Sequence, residues 1–320
     1  MPFFSIIMPA YNRAGLIGRA IRSCLVQDFE DFEIVITDDA STDGTAGAVE
    51  SIRDGRIRLL RHAANRGRCP SRNTAMREAR GAWFVFLDSD DELTPGGLSA
   101  IYARAVSVRL DVGGLRFMCR DEHGRVSPDP PHRNEIWGYA EYLHFMEAHC
   151  AWNGEALPCA RRETFPAVRY PEGHAEECLY HLNLAKSFRV GAYSDIVRSY
   201  HHDATNQITT PNWRRSLQYA SDAAENVRAV LDGHGSVLRE HAPNVYSQKL
   251  LEGAVCNFLS GKRRSGLRFV RSYVRNRPFS VRPYVVALVG LVSGRCLARL
   301  QGSRWRAQPG DRKRSCEYGR

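Results

Sequence analysis

Short apolar runs alternate with segments of helical periodicity along the first hundred residues. The runs at 3–8, 32–37, 57–60 and 83–87 are too short for helices and predict strands. Apolar side chains three or four apart predict a helix over 16–27, cap and turn residues at 41–45 lead into a second helix, and a third is predicted over 71–80. This βαβαβαβ order is typical of a parallel, doubly wound sheet.

The run 83–87 ends at a cluster of acidic residues. Asp88, Asp90 and Asp91 follow five bulky apolar residues, so carboxylates stand at the carboxyl end of a strand that is buried on both faces. Ligands of open α/β sheets bind at such strand ends, and Mg²⁺ bridges protein carboxylates to substrate phosphates. Asp88-Ser89-Asp90 therefore predicts a metal-diphosphate site. The alternative is a solvated loop that caps the helix near Pro95.

The ends of three predicted strands support the metal-diphosphate interpretation. Right-handed crossovers bring the carboxyl ends of the first, second and fourth strands to a common edge, where Tyr11, Asp39 and Asp88 would meet. The loop after the first strand, PAYNRAG, contains neither a G-x-G-x-x-G fingerprint nor a P-loop. The phosphates must be held in another way, and a cation on Asp88 and Asp90 is the obvious candidate.

Five ordered blocks resemble the family 2 glycosyltransferases with the GT-A fold, of the type that builds bacterial envelope polysaccharides. They are SIIMPAYNR at 5–13, TDDASTDGT at 37–45, NRG at 65–67, SRNTAMREARGAW at 71–83 and FLDSDDEL at 86–93. The resemblance implies a GT-A (Rossmann-like), mostly parallel sheet flanked by helices. It also implies an inverting, metal-dependent transfer of a sugar from a nucleoside diphosphate, most often UDP, to a glycan or lipid-linked acceptor.

The resemblance assigns roles in the donor site. Asp90 would bind Mg²⁺ or Mn²⁺ across the diphosphate, with Asp88 at the ribose or donor sugar and as a second metal contact. Asp39 would accept from the base N–H and Tyr11 would stack on the base. The remaining cofactor-binding residues would be Pro9, Arg66 and Ser89. Arg68 and Arg72 are further candidates for the pyrophosphate, and a solvated charged loop is the alternative for any single arginine.

A second, looser block at 170–186, YPEGHAEECLYHLNLAK, resembles the acceptor side of the same family. There the family places Glu-Asp, whereas this chain has Glu176-Glu177. Glu177 is the expected general base, with Glu176 second and Glu172 third. The alternative is an acidic first turn of a helix, which the helix dipole favours.

Charge is concentrated in the C-terminal part. Residues 261–320 contain 16 Lys and Arg against 2 Asp and Glu, a net charge of +14, while the whole chain carries +10. Residues 1–260 therefore sum to −4, and nucleic acid is not an expected partner. We predict a GT-A catalytic domain over 1–210, with a nucleotide-sugar half (1–100) and an acceptor half (101–210). A helical basic extension over 211–320 would contact anionic membrane through arginines and the apolar stretch 284–292.

The remaining features concern location and the competing functions. No signal peptide or spanning helix is expected, and nine scattered cysteines without a CxxC pair indicate reduced thiols. We therefore expect a cytoplasmic enzyme, peripheral on the cytoplasmic face of the inner membrane. A sugar-nucleotidyltransferase is one alternative, although PAYNRAG lacks its glycine-rich signature. A non-enzymatic basic binding protein is the other, and it predicts affinity for nucleic acid that falls steeply with salt.

Overall fold

The computed structural model describes residues 1–129, 131–149, 155–174, 177–203, 213–293 and 297. The chain divides into two compact units. The first comprises Met1–Tyr142 and Trp152–Thr205, and the second comprises Leu143–Ala151 and Asn206–Arg320. Glu176 and Pro130 lie outside the described residues. The predicted domain boundary at 210 remains a prediction.

The first unit is built on one large mixed sheet. Its strands are β1 (Phe4–Ala10), β2 (Phe32–Asp38), β3 (Ile57–Arg61), β4 (Trp83–Phe86), β5 (Glu92–Leu93), β6 (Val112–Asp121), β7 (Val126–Ser127), β8 (Glu135–Trp137), β9 (Ala156–Arg161) and β10 (Arg189–Tyr200). Its helices are α1 (Ile17–Leu25), α2 (Thr45–Glu50), α3 (Arg68–Glu78), α4 (Gly97–Ser107) and α6 (Cys178–Ser187), with a 3₁₀ turn at Arg162–Thr164. Helix α5 (Tyr139–Ala148) runs from the first unit into the second.

The sheet has a parallel half and a mixed half, in which β6 and β10 pair parallel and the other ladders are antiparallel. Its order is β3-β2-β1-β4-β9-β6-β10-β5, with β7 beside β6 and β8 beside β10. The ladders among β3, β2, β1 and β4 are all parallel, whereas β9 is antiparallel to both β4 and β6. The predicted α/β class, a sheet flanked by helices with a helical C-terminal part, is confirmed. The ends of the first, second and fourth strands do lie at one edge.

Both faces of the parallel half are covered, which explains its unbroken apolar runs. Every residue of β1, β2 and β4 is buried. Alternate side chains enter different clusters: Ile6 and Ile34 belong to one, while Ile7, Val35 and Phe84 belong to the other. A strand with apolar side chains on both faces shows no alternation with polar residues, as the sequence shows here.

The long strand β6 was not predicted from the sequence. Strand β6 contains Gly113 and Gly114, and glycine weakens a strand pattern. The structure gives the reason for both glycines. A Cβ atom at Gly113 would lie 2.6 Å from Cγ of Phe188, and one at Gly114 would lie 2.8 Å from Cδ2 of Leu184. The backbone of β6 therefore approaches these side chains too closely for any larger residue. Helix α3 also begins three residues before its predicted start.

The second unit is helical. Its helices are α7 (Trp213–Gln218), α8 (Ala220–His241), α9 (Pro243–Leu259), α10 (Arg263–Asn276) and α11 (Arg282–Val292). A hydrophobic cluster of Ala254, Val255, Phe258 and Val270 joins α9 and α10. Within the described part of the chain, no helix is both long enough and apolar enough to cross a membrane.

Candidate active site

The loops that follow β1 and β2 are joined at the sheet edge. The amide of Asp39 donates to the carbonyl oxygen of Ala10 at 2.8 Å, which extends the β1–β2 pairing past the end of both strands. The amide of Asn12 donates to Oγ of Ser41 at 2.9 Å. Tyr11 stands between these contacts with 41% of its surface exposed. A ring held on an anchored backbone and open to solvent can stack on a planar ligand.

Asp39 is buried and anchors the loop that contains the NRG block. Its Oδ1 accepts from the amide of Arg66 at 2.9 Å and contacts Nδ1 of His62 at 2.6 Å, while Oδ2 accepts from the amide of Gly67 at 2.7 Å. Gly67 has a φ of +99°, and a Cβ atom there would lie 3.0 Å from the carbonyl oxygen of Gly173. The role of Asp39 in fixing this loop was not foreseen from the sequence.

Each carboxylate after β4 has an arginine partner. Asp88 Oδ1 accepts from Arg72 at 2.7 Å. An oxygen of Asp90 lies 3.4 Å from a terminal guanidinium nitrogen of Arg13. The Oδ2 atom of Asp91 lies 3.5 Å from Nε of Arg198. The sequence had suggested Arg72 for the phosphates but had assigned nothing to Arg13 or Arg198. Arg13 belongs to the PAYNR block, so its place in that block was the available signal.

The three carboxyl groups differ in their electrostatics. Burial alone would raise the pKa of Asp88, but the charges of Arg72 and Arg68 outweigh it and lower that pKa. Burial and the negative charge of Asp88 raise the pKa of Asp90, and Arg13 offsets only part of this effect. Burial also raises the pKa of Asp91 well above its usual range. Negative charge at Asp90 is therefore incompletely balanced by the protein.

Glu177, the expected base, lies between two arginines at the start of α6. Its Oε1 is 2.6 Å from Nε of Arg68 and forms a close ion pair with the guanidinium of Arg72. Its Oε2 lies 3.8 Å from Nε2 of His181, one helical turn further on. Burial would raise the pKa of Glu177, but Arg68 and Arg72 together lower it well below its usual range. Glu177 is thus ionised at neutral pH.

Arg72 connects the two groups of acids. Its guanidinium donates to Asp88 and also pairs with Glu177, although these residues are 89 positions apart in the sequence. The side chain of Arg72 is 4% exposed, and its guanidinium carbon lies 5.3 Å from the ring centre of Tyr170. The ring of Tyr170 in turn stacks on Tyr180, with centroids 3.9 Å apart. Packing therefore holds this cation rigidly between the end of β4 and the start of α6.

The other predicted site residues lie around this centre. Ser89 is buried, and Pro9 is buried within β1. Arg66 is about half exposed, and its guanidinium lies 3.3 Å from Glu172, which is 73% exposed. The structure thus pairs the third candidate base with an arginine at the surface. Glu176, the second candidate, lies outside the described residues.

The amino-acid sequence of this region matches a known family. Residues 5–150 match the model described as glycosyl transferase family 2. This part of the chain belongs to that family. The predicted resemblance is therefore confirmed over residues 5–150.

Two curated relatives of the chain come from bacteria. The chain is 41% identical over 138 residues to the succinoglycan biosynthesis protein ExoO of Rhizobium meliloti, covering 39% of this chain and 40% of that protein. It is 39% identical over 108 residues to the GalNAc(5)-diNAcBac-PP-undecaprenol beta-1,3-glucosyltransferase of Campylobacter jejuni, covering 33% of this chain and 35% of that protein. The matched segments thus span about two fifths or less of these relatives.

Solved structures share the fold over a longer stretch. S. aureus TarS 1–349, solved with UDP-GlcNAc, aligns with a TM-score of 0.57 at 18% identity and covers 87% of this chain and 92% of that one. The mannosyltransferase PcManGT of Pyrobaculum calidifontis, solved with GDP-Man and Mn²⁺, aligns with a TM-score of 0.52 at 18% identity and covers 96% and 88%. At this identity the likeness concerns the fold, and the predicted GT-A fold is confirmed.

The carboxylate oxygens that follow β4 fit a divalent cation. Among the described residues, no three His, Cys, Asp or Glu side chains form a preformed metal cage. Mg²⁺ uses few protein ligands, because it is held through one or two carboxylates together with substrate phosphates. Asp88 and Asp90 supply such a pair. Burial and the charge of Asp88 raise the pKa of Asp90, and a cation bound there would favour the ionised carboxylate.

Proposed function

We propose that the chain is an inverting, metal-dependent glycosyltransferase that acts in the synthesis of a cell-envelope polysaccharide. The donor would be a nucleoside diphosphate sugar, UDP-linked in the first instance, and the acceptor a glycan or lipid-linked glycan. The names of the relatives support this proposal, since one acts in succinoglycan biosynthesis and another on a PP-undecaprenol acceptor. The TarS structure with UDP-GlcNAc supports the choice of donor.

The observation that carries the proposal is the shared guanidinium of Arg72. A metal-dependent transfer needs a carboxylate near the diphosphate and a separate base near the attacking hydroxyl. Asp88 and Glu177 are acids from the two halves of the first unit, and Arg72 binds both. The two carboxylates thus lie on either side of one guanidinium.

The donor would be held at the edge of the parallel half. Tyr11 would stack on the base beside Pro9, and Asp39 would position the base and the loop that contains Arg66. Asp88 and Asp90, with Ser89 between them, would hold Mg²⁺ or Mn²⁺ against the diphosphate. When bound, this cation would neutralise negative charge on the departing nucleoside diphosphate.

Glu177 would then act on the acceptor. Its carboxylate takes the proton of the attacking hydroxyl as the acceptor oxygen bonds to the anomeric carbon. The bond between that carbon and the diphosphate oxygen breaks at the same time, its electron pair leaves with the nucleoside diphosphate, and the anomeric configuration inverts. A base with a lowered pKa accepts this proton late, once bond formation has made the hydroxyl acidic. Glu176 is the second candidate for this role.

A product analysis tests the proposal. The full chain is incubated with Mn²⁺ and a panel of UDP-, GDP- and dTDP-sugars, and release of the nucleoside diphosphate is measured with and without chelator. We expect release that depends on the cation and on one donor class, and a glycosidic bond of inverted configuration by NMR. Release of pyrophosphate from a nucleoside triphosphate and a sugar phosphate would identify a nucleotidyltransferase instead.

A lipid-linked acceptor would also determine the location of the protein in the cell. The glycan end of such an acceptor lies at a membrane surface. We therefore propose that the chain is a cytoplasmic, peripheral protein that contacts anionic membrane through its C-terminal basic part. Tight binding to nucleic acid that weakens steeply with salt, in the absence of any transfer, would favour the basic binding protein instead.

A further inference from the structure

Helix α11 of the second unit exposes apolar side chains along one face. Val281 is 71% exposed, Tyr284 52%, Leu288 70% and Val292 75%. Their positions are three or four residues apart, so they form one stripe along the helix and the residue before it. Phe279, in the turn that precedes α11, is 98% exposed. An apolar stripe of this length is unusual on a surface in contact only with water.

The opposite face of α11 already packs on the second unit. Gly290 is buried, and a Cβ atom there would lie 2.6 Å from Cγ of Phe258. Val286 and Val289 pack against the cluster that contains Phe258. The core contacts of α11 are therefore made by a different set of residues, and the exposed stripe is a second apolar face of the same helix.

Helix α10 adds positive charge to the same unit. Arg264, Arg268, Arg271 and Arg275 are exposed and are spaced four, three and four residues apart, so they share one face of α10. Residues 261–293 contain seven Arg and one Lys and no Asp or Glu. The positive charge of this segment is therefore not balanced by any acidic residue within it.

We propose that these two faces together bind an anionic lipid bilayer. The lipid-binding surface consists of Val281, Tyr284, Leu288 and Val292 with Arg264, Arg268, Arg271 and Arg275. The apolar side chains would enter the boundary between headgroups and acyl chains, and the arginines would contact lipid phosphates. Helix α11 has 11 residues, or roughly 16 Å at 1.5 Å per residue, so it would lie in the interface and not cross it.

Charge complementarity favours a bilayer over the other occupants. A second copy of this chain would bring one arginine face against another, and like charges in an interface oppose association. Duplex nucleic acid would satisfy the arginines but would leave the apolar stripe in water. An anionic bilayer offers phosphates to the arginines and hydrocarbon to the stripe. The inference rests on the proposed peripheral location and names the surface responsible for it.

Sedimentation with vesicles tests the surface without any substrate. The full chain is mixed with vesicles of phosphatidylcholine alone or of phosphatidylcholine with phosphatidylglycerol. We expect binding to the anionic vesicles that weakens as salt is added, and little binding to the neutral ones. Leu288→Glu should lower the partition coefficient at least tenfold. Arg271→Gln should lower it roughly fivefold, the factor that corresponds to one arginine near an anionic surface.

Matched substitutions in the first unit serve as controls. Leu110 is 81% exposed and Arg109 has a side chain that is 88% exposed, so Leu110→Glu and Arg109→Gln change the same charge on an unrelated surface. They should leave vesicle binding unchanged. Equal loss in Leu110→Glu and Leu288→Glu would show that total charge, and not this surface, controls binding, which would overturn the proposal.

Two further outcomes would also overturn it. Absence of binding to anionic vesicles by a monodisperse wild-type chain would mean that the stripe does not bind lipid. Concentration-dependent dimers in light scattering that Leu288→Glu abolishes, without vesicle binding, would assign the surface to a second copy. Transfer to a water-soluble acceptor is measured separately and without vesicles. Leu288→Glu should retain it, so failure of the lipid surface and failure of the proposed activity can be told apart.

Discussion

Arg68 and Glu177 form a close ion pair, with Nε of the arginine 2.6 Å from Oε1 of the glutamate. Arg68 is the more accessible of the two arginines around Glu177, because its side chain is 31% exposed whereas that of Arg72 is 4% exposed. A terminal nitrogen of Arg68 also lies 4.0 Å from Asp88. Arg68 is thus placed to influence both the base and the donor phosphates, while Arg72 is held by packing.

Arg68→Gln should make activity more sensitive to acid. Arg68 is a main cause of the lowered pKa of Glu177, so its loss should raise that pKa toward the usual value. A base works in its deprotonated form, and a raised pKa therefore moves the acidic limb of kcat/KM to higher pH. Relative to pH 7.5, kcat/KM at about pH 4.3, the ordinary pKa of a glutamate, should fall roughly twofold more in the variant than in the wild type.

Arg66→Gln is the control for this pH profile. Arg66 lies two residues before Arg68, just ahead of α3, but pairs with the exposed Glu172 instead of Glu177. Its loss should leave the acidic limb in place and raise only the KM for the donor. An unchanged limb in Arg68→Gln would mean that the group titrating in kcat/KM is not Glu177.

Glu177→Gln should slow transfer without weakening the binding of the donor. The amide keeps the size of the side chain but cannot take a proton at neutral pH. We expect kcat to fall by roughly 10²–10⁴-fold, the usual contribution of a general base. The dissociation constant of the donor, measured by calorimetry, should change little because the donor groups lie at the ends of β1, β2 and β4.

Two neighbouring acids complete this test. Glu172→Gln should be nearly silent, because its side chain is 73% exposed and bound to Arg66. Glu176→Gln should be milder than Glu177→Gln. A fully active Glu177→Gln together with an inactive Glu176→Gln would exchange the two roles.

Asp90→Asn should abolish the response to metal. The melting temperature of the wild-type protein should rise when Mn²⁺ and a nucleoside diphosphate are added together, since a ligand that binds only the folded state stabilises that state. Without its carboxylate the variant should show little of this gain and almost no transfer. Asp111→Asn, an acid whose side chain is 47% exposed and paired with Arg109, should behave like the wild type. A full Mn²⁺ response in Asp90→Asn would remove this residue from the cation site.

The parallel half of the sheet could be predicted because local sequence determines it. Its strands are apolar on both faces and are separated by helices with clear periodicity, so order and topology follow from general rules. The positions of Tyr11, Asp39 and Asp88 at one edge follow from that topology. Their placement needs no knowledge of side-chain contacts.

The arginine partners could not be predicted because they depend on contacts distant in sequence. Arg72 meets Glu177 only because α3 and α6 contribute to the same hydrophobic cluster, and no periodicity connects those segments. Arg198 lies on β10, a strand whose pairing with β6 has several register shifts. Strand β6 itself was missed because Gly113 and Gly114 interrupt its apolar pattern. These glycines are required by the close approach of Phe188 and Leu184, which the sequence does not show.

Tyr11→Ala and Asp39→Ala should differ, although both residues are assigned to the nucleotide base. Tyr11 is 41% exposed, so its truncation should raise the KM for the donor with little change in kcat or melting temperature. Asp39 is buried and accepts from the amides of Arg66 and Gly67. Its loss leaves buried donors unsatisfied, which costs about 1–3 kcal/mol each, so the variant should also unfold at a clearly lower temperature.

Asp39→Asn separates the two roles of this side chain. The asparagine carbonyl oxygen can still accept one loop amide, but its NH₂ group faces the other amide and repels it, so part of the stability is lost. Donor titrations below the melting temperature, beside Tyr11→Ala, then report the base contact alone. An Asp39→Asn variant with wild-type melting temperature and wild-type KM would contradict both roles. A loss of kcat with unchanged KM would instead move Asp39 to the reacting carbon.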